Sequence, residues 1–144
     1  MITQADETLL RRAIAIAAHA ITLGDAPYGS LLADAGGAIL IEAHNTVRRD
    51  NDISAHPELK LARWAARELT AEEAARITMY TSCQPCEMCG GGIVRSGLGR
   101  VVYALATEQF LTLNPGGGWP VVPLEGPALF DEARAPIEEF YRSG

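Results

Sequence analysis

The stretch YTSCQPCEMCGGG, Tyr80–Gly92, holds every cysteine of the chain within seven residues. Cys83, Cys86 and Cys89 make two overlapping C-x-x-C pairs. An odd number of clustered thiols does not suit a disulfide framework, whose partners are spread along the chain, so metal or redox use is the better reading. Pro85 is tolerated in the first turn of a helix, where its missing N–H breaks no intrahelical bond. A helix from about Pro85 to Arg95 then puts Cys86 and Cys89, three residues apart, on one face. ITMYT (Ile77–Thr81) before it and RVVYAL (Arg100–Leu105) after it read as buried strands. Strand, helix and strand in that order form a crossover unit, the mark of a sheet covered on both faces.

SAHPE, Ser54–Glu58, repeats the arrangement: Ser54 is a candidate cap, Pro57 a first-turn residue, and a helix is expected from about Ser54 to Leu69. His56, Cys86 and Cys89 are thus offered by two helix N-termini, and zinc is the metal that such a ligand set suits best. Each N-terminus carries about half a positive charge, which helps to keep thiols ionised. A three-ligand zinc site leaves a fourth position for water. Glu58, two residues from His56, is placed to take that water's proton and pass it to a leaving group. The competing reading adds Cys83 as a fourth ligand, which would close the site and make the protein a non-catalytic, zinc-stapled module. At a strand end, Cys83 reads instead as a small buried hydrophobe.

Elsewhere, DETLLRRAIAIAAHAITLG has Leu10, Ile14, Ala17 and Ile21 on one helical face, with Asp6 as cap and Gly24 as stop. SLLAD and AILIEAH, separated by AGG, read as a strand hairpin. NTVRRDNDIS is a polar loop whose Arg48 and Arg49 form a solvated face, and Thr70 with Glu73 makes a capping box. NPGGGWP, Asn114–Pro120, is a flexible loop with Trp119 as a candidate lid or core aromatic. ALFDEARAPIEEFYR is helical in pattern, with a kink or restart at Pro136. Gly90–Gly92 lie inside a helix, where each glycine costs about 0.8–1 kcal/mol relative to alanine, so close packing against the sheet or the His56 helix is expected. His19 and His44 read as structural.

The 144 residues are the usual size of one domain, and a single domain over 1–144 is expected. Hydrophobic residues make up 48% and charged residues 21%, as in a soluble globular protein. No apolar run is long enough for a membrane span and the N-terminus has no leader pattern, so a cytoplasmic location is expected. The formal net charge of −6 and pI near 5.0 argue against nucleic acid as partner and favour a small neutral substrate.

The pairing of H-x-E with P-C-x-x-C is the signature of zinc deaminases. At these residues the chain resembles the cytidine deaminase-like superfamily, and within it the branch of guanine deaminases and tRNA adenosine deaminases. AIAIAAHAITLGDAPYGSLLAD, AHNTVRRDNDISAHPE, YTSCQPCEMCGGGIVRSGLGRVVYA and GPALFDEARAPIEEFYR all read like that branch. The resemblance implies an α/β fold, a three-layer α/β/α sandwich with a mixed central sheet. It implies zinc on His56, Cys86 and Cys89, Glu58 as proton shuttle, and Asn45 hydrogen-bonded to the substrate base. Tyr28, in PYG where guanine deaminases have a similar PFG, would lie near the base. Pro57 stands where the family usually has alanine. The implied reaction is hydrolytic deamination of a nucleobase-like small molecule, guanine or another purine first. A tRNA adenosine deaminase and a cytosine or nucleoside deaminase are the alternatives. A homodimer is expected from the same resemblance, and specificity is expected to be set between Ala106 and Val122.

Overall fold

The computed structural model describes residues 1–143. Four strands form one sheet: β1 (Gly29–Ala33), β2 (Ile39–His44), β3 (Thr78–Cys83) and β4 (Arg100–Leu105), in the order β2-β1-β3-β4. β1 pairs antiparallel with both β2 and β3, whereas β3 and β4 run parallel, so the sheet is mixed. The helices are α1 (Gln4–Thr22), α2 (Val47–Asp50), α3 (Pro57–Glu68), α4 (Ala71–Ala74), α5 (Glu87–Ser96), α6 (Thr107–Leu113) and α7 (Phe130–Ser143). The parallel pair is joined through α5, the crossover expected from the cysteine-bearing stretch. No helix among the described residues is long and apolar enough to cross a membrane.

Strand side chains alternate between faces, and that alternation divides the core in two. Leu32 and Met79 point to one side, where they pack with Leu61, Ala62 and Ala65 of α3 and Ile93 of α5. Leu31, Ala33, Tyr80 and Val102 point to the other, against Leu10 and Ala13 of α1. Helix, sheet and helix therefore make the three layers that the resemblance implied. Leu31, Leu32, Leu61 and Met79 are fully buried, each contributing roughly 2 kcal/mol in transfer free energy. At Gly29 the layers touch directly. A Cβ there would lie 2.6 Å from the Ala13 carbonyl oxygen and 2.7 Å from the Ala17 nitrogen. Only glycine lets α1 lie this close to β1.

Several local expectations need correction. Asp6 does not cap α1; Thr3 does, and Asp6 is the returning member of the capping box. Its carboxylate accepts from the Thr3 N–H and also reaches further, accepting from Arg100 and from the Tyr80 hydroxyl. Ser54 does not cap α3, because its hydroxyl donates to Asp52 and the helix begins three residues later. The polar loop after Asn45 includes the short α2, and α6 occupies a segment where no helix was expected. α7 continues through Pro136, which forgoes one intrahelical bond while the flanking turns hold. The hairpin, the Thr70–Glu73 capping box and the stop at Gly24, with φ of 80°, stand as expected.

Candidate active site

His56 and Cys86 occupy the same position in two different helices. His56 is the N-cap of α3 and Cys86 the N-cap of α5, both with extended backbones, and neither side chain bonds to its own helix. The two helices cross beside these ends. A Cβ on Gly92 would come within 2.6 Å of Leu59 Cδ1, so one of the three consecutive glycines is a contact between α5 and α3. Gly90 and Gly91 are not: nothing lies within 4 Å of a Cβ at Gly90, and Gly91 meets only Arg95 of its own helix.

His56 Nδ1 lies 3.4 Å from Cys89 Sγ and 3.7 Å from Cys86 Sγ. All three donor atoms are within 4.8 Å of one another. A tetrahedral zinc with Zn–S of about 2.3 Å and Zn–N of about 2.0–2.1 Å requires N···S separations of about 3.5 Å. The residues therefore fit the metal. Cys83 is not a member of the group. His44 bonds to Asp25 instead, and His19 to Thr22, and neither joins the ligand group.

The electrostatics of the pocket call for a cation. Burial pushes the Cys89 thiol well above its ordinary range, reinforced by the charges of Glu58 and Cys86, while the Leu59 backbone N–H opposes this. Burial also raises the Glu58 carboxyl to about 7, held back by its own backbone N–H and by the Ser30 hydroxyl. His56 is shifted down by burial, which favours the neutral imidazole that a metal needs. Several potential anions crowded into a low-dielectric space are costly unless a positive charge joins them. His56, Cys86 and Cys89 would hold a divalent ion, and such an ion would supply that charge.

Glu58 sits in the first turn of α3 and is only 6% exposed. Around it lies an aromatic rim. Tyr28 meets Phe110 edge to face at 6.2 Å between centroids, and Trp119 lies beside the His56 ring at 6.2 Å. The Tyr28 phenol is raised by burial and then by Cys83 and Glu58, which places it at this pocket. Asn45 is buried; its N–H donates to the Tyr28 carbonyl and its Oδ1 accepts from the Val47 N–H. Arg48 and Arg49 both stay on the exposed face expected of them, Arg49 pairing there with Asp25 at 2.7 Å. Sequence reasoning passed over Phe110 and Ser30. Neither carries a local pattern, since each gains its role from a partner distant in the chain.

Residues 3–105 match the family described as cytidine and deoxycytidylate deaminase zinc-binding region. The chain is 29% identical over 159 residues to a probable cytosine deaminase of Schizosaccharomyces pombe, covering 99% of this chain and 96% of that protein. It is 37% identical to the guanine deaminase of Bacillus subtilis over 68% of this chain and 63% of that protein. The solved structure of the B. subtilis enzyme superposes with a TM-score of 0.77 and 28% identity over 94% of this chain and 93% of that one. A tRNA-specific adenosine deaminase of Haemophilus influenzae is 33% identical over 68% of this chain and 57% of its own length. With a donor set that fits zinc and a buried carboxyl beside it, the chain belongs to the cytidine and deoxycytidylate deaminase zinc-binding family, as a zinc-dependent hydrolytic deaminase.

Proposed function

We propose that the chain deaminates an amino-substituted free nucleobase, guanine or a related purine first, with release of ammonia. The observation that carries this reading is the buried Glu58 carboxyl beside the converging His56, Cys86 and Cys89, under an aromatic rim. His56, Cys86 and Cys89 would hold the zinc, which when bound acidifies water and so makes a nucleophile available near neutral pH. Glu58 serves as base and then acid: one carboxyl oxygen accepts a proton from the attacking water and returns it to the leaving amine. Burial raises that carboxyl above its ordinary range, which favours proton uptake, and the charge of a bound zinc would act in the opposite direction. Asn45 orients the base through its side-chain amide. Tyr28, Phe110 and Trp119 stack against the base and exclude water, a pocket chemistry suited to a flat heterocycle.

Similarity to the B. subtilis guanine deaminase over nearly the whole chain supports a purine. Similarity to the S. pombe protein over 99% of the chain supports cytosine as the second reading. The acidic net charge disfavours a tRNA. The separation of Cys83 from the ligand group disfavours a closed, purely structural zinc. The assembly is a homodimer, supported by α7, where Phe130, Ile137 and Tyr141 each expose more than half of their area on one side of the helix. Sedimentation as a monomer at micromolar concentration would remove the dimer from the proposal.

Ammonia release from guanine, adenine, cytosine, their nucleosides and an anticodon stem-loop tests the substrate. Guanine turnover that disappears in Glu58→Ala while zinc remains bound is the expected result. Turnover of the stem-loop alone would overturn the free-base reading, and cytosine alone would select the second one.

A further inference from the structure

We infer that Lys60 is a positioning residue for Asn45, coupling the base-orienting amide to the helix that carries His56 and Glu58. This deepens the function proposed above and rests on Asn45 holding the base. Lys60 lies one turn along α3 from His56, and its Nζ donates to two acceptors. One is the His44 carbonyl at 2.9 Å and the other Thr46 Oγ1 at 2.5 Å, the residues on either side of Asn45. Asn45 is thus bracketed by one ammonium whose stem is fixed to the catalytic helix.

The bracket is continued by its neighbours. Thr46 Oγ1 donates to Asp50 at 2.6 Å, and the Thr46 N–H donates to the Ala55 carbonyl, immediately before His56. The Asn45 N–H is held by the Tyr28 carbonyl at 3.1 Å, and its Oδ1 by the Val47 N–H at 3.0 Å. With Oδ1 turned to the backbone, the amide's N–H donors are the end directed elsewhere. Their distance from Glu58 is then governed by the Lys60 link between β2 and α3.

A lysine here is not the default for a helix face. Half-burying an ammonium is unfavourable, and a solvated lysine would avoid that penalty. Three rotatable donors and no acceptor suit an ammonium to joining a carbonyl and a hydroxyl from one loop. Burial holds the Lys60 ammonium below its ordinary range, offset only in part by Asp50, Asp25 and Asp52 and reinforced by Arg49. The geometry matters because a contact that holds the base equally in the bound and transition states is felt mainly in KM.

The test uses the zinc-loaded chain and the base that the wild type deaminates. Lys60→Met is expected to raise KM about tenfold, lower kcat less than about threefold and leave zinc stoichiometry unchanged. Thr46→Val should move KM in the same direction and Thr46→Ser should restore it, which also covers the case that Lys60→Met fails to fold. In an Asn45→Ala background, Lys60→Met should change KM by less than about twofold, because it acts through the amide already removed. Backbone hydrogen exchange reads the bracket without activity: Asn45 and Thr46 should exchange about tenfold faster in Lys60→Met, with α5 unchanged. Unchanged KM and exchange would overturn the inference, as would a KM effect that persists undiminished without Asn45. If the wild type turns over none of the bases, the proposed function fails, and exchange at Asn45 and Thr46 decides the bracket by itself.

Discussion

Replacing Asp6 by asparagine tests how the outer layer is tied to the sheet. Asp6 is 4% exposed and lies in the first turn of α1. Its Oδ1 accepts from Arg100 at 2.9 Å and from the Tyr80 hydroxyl at 2.7 Å, and its Oδ2 from Arg100 and from the Thr3 N–H, each at 2.9 Å. One carboxylate thus joins α1, β3 and β4. Breaking a fully buried pair costs about 3–5 kcal/mol, but Arg100 is 43% exposed and would be partly rehydrated, so about 3 kcal/mol is expected. With a urea m-value of about 2 kcal/mol/M, Asp6→Asn should lower the unfolding midpoint by about 1.5 M. The Arg100 guanidinium, the Thr3 N–H and the Tyr80 hydroxyl hold the Asp6 carboxyl far below the usual range. A depressed carboxyl contributes stability that is complete above its unfolded pKa of about 3.9 and declines as pH falls below that value. The difference between wild type and Asp6→Asn should therefore be flat near neutrality and shrink by about 1.4 kcal/mol per pH unit below about pH 3.9. Zinc release on acidification affects both proteins and cancels in the difference. A midpoint shift under about 0.5 M, or a difference that persists unchanged at about pH 2.5, would refute the account.

Cys83→Ala should retain one zinc per chain by elemental analysis, whereas Cys89→Ala should lose it; zinc loss from Cys83→Ala would reinstate the closed site. Gly92→Val should cost about 1–3 kcal/mol in urea unfolding and weaken zinc binding by separating α5 from α3. Gly91→Ala, which meets only Arg95, should stabilise by about 0.5–1 kcal/mol, and equal effects at the two glycines would deny the contact. Trp119→Ala should raise KM for the base about tenfold with little change in zinc content, measured by steady-state kinetics and metal analysis. Chelation of the zinc should lower the melting temperature, since it removes the cation that offsets the crowded donors; an unchanged melting curve would show that the buried groups do not need it.

Some of this protein is written locally. Pro57 at the first position of α3, and thiols three residues apart, reveal one helix start and a ligand set before any fold is known, whereas Pro85 lies just before the N-cap Cys86 and not in the first turn expected for it. Apolar strands flanking the cysteine helix reveal the parallel crossover. Helix boundaries were less legible. Ser54 had the chemistry of a cap, yet it serves Asp52, and His56 takes the N-cap position that turns its ring toward Cys86 and Cys89. Asp6 likewise resembled a cap, but its reach to Arg100 spans nearly the whole sheet-forming part of the chain.

By itself the sequence determined the donor types and the zinc-dependent deaminase family, because both are carried by short motifs whose residues lie a few positions apart. Only the tertiary structure decided that Cys83 stays out of the ligand group, that Gly92 of the three glycines is the helix contact, that Phe110 meets Tyr28 and Trp119 the His56 ring, and that Lys60 reaches the residues on both sides of Asn45. Those outcomes depend on distances between segments remote along the chain, which packing sets and no local pattern encodes.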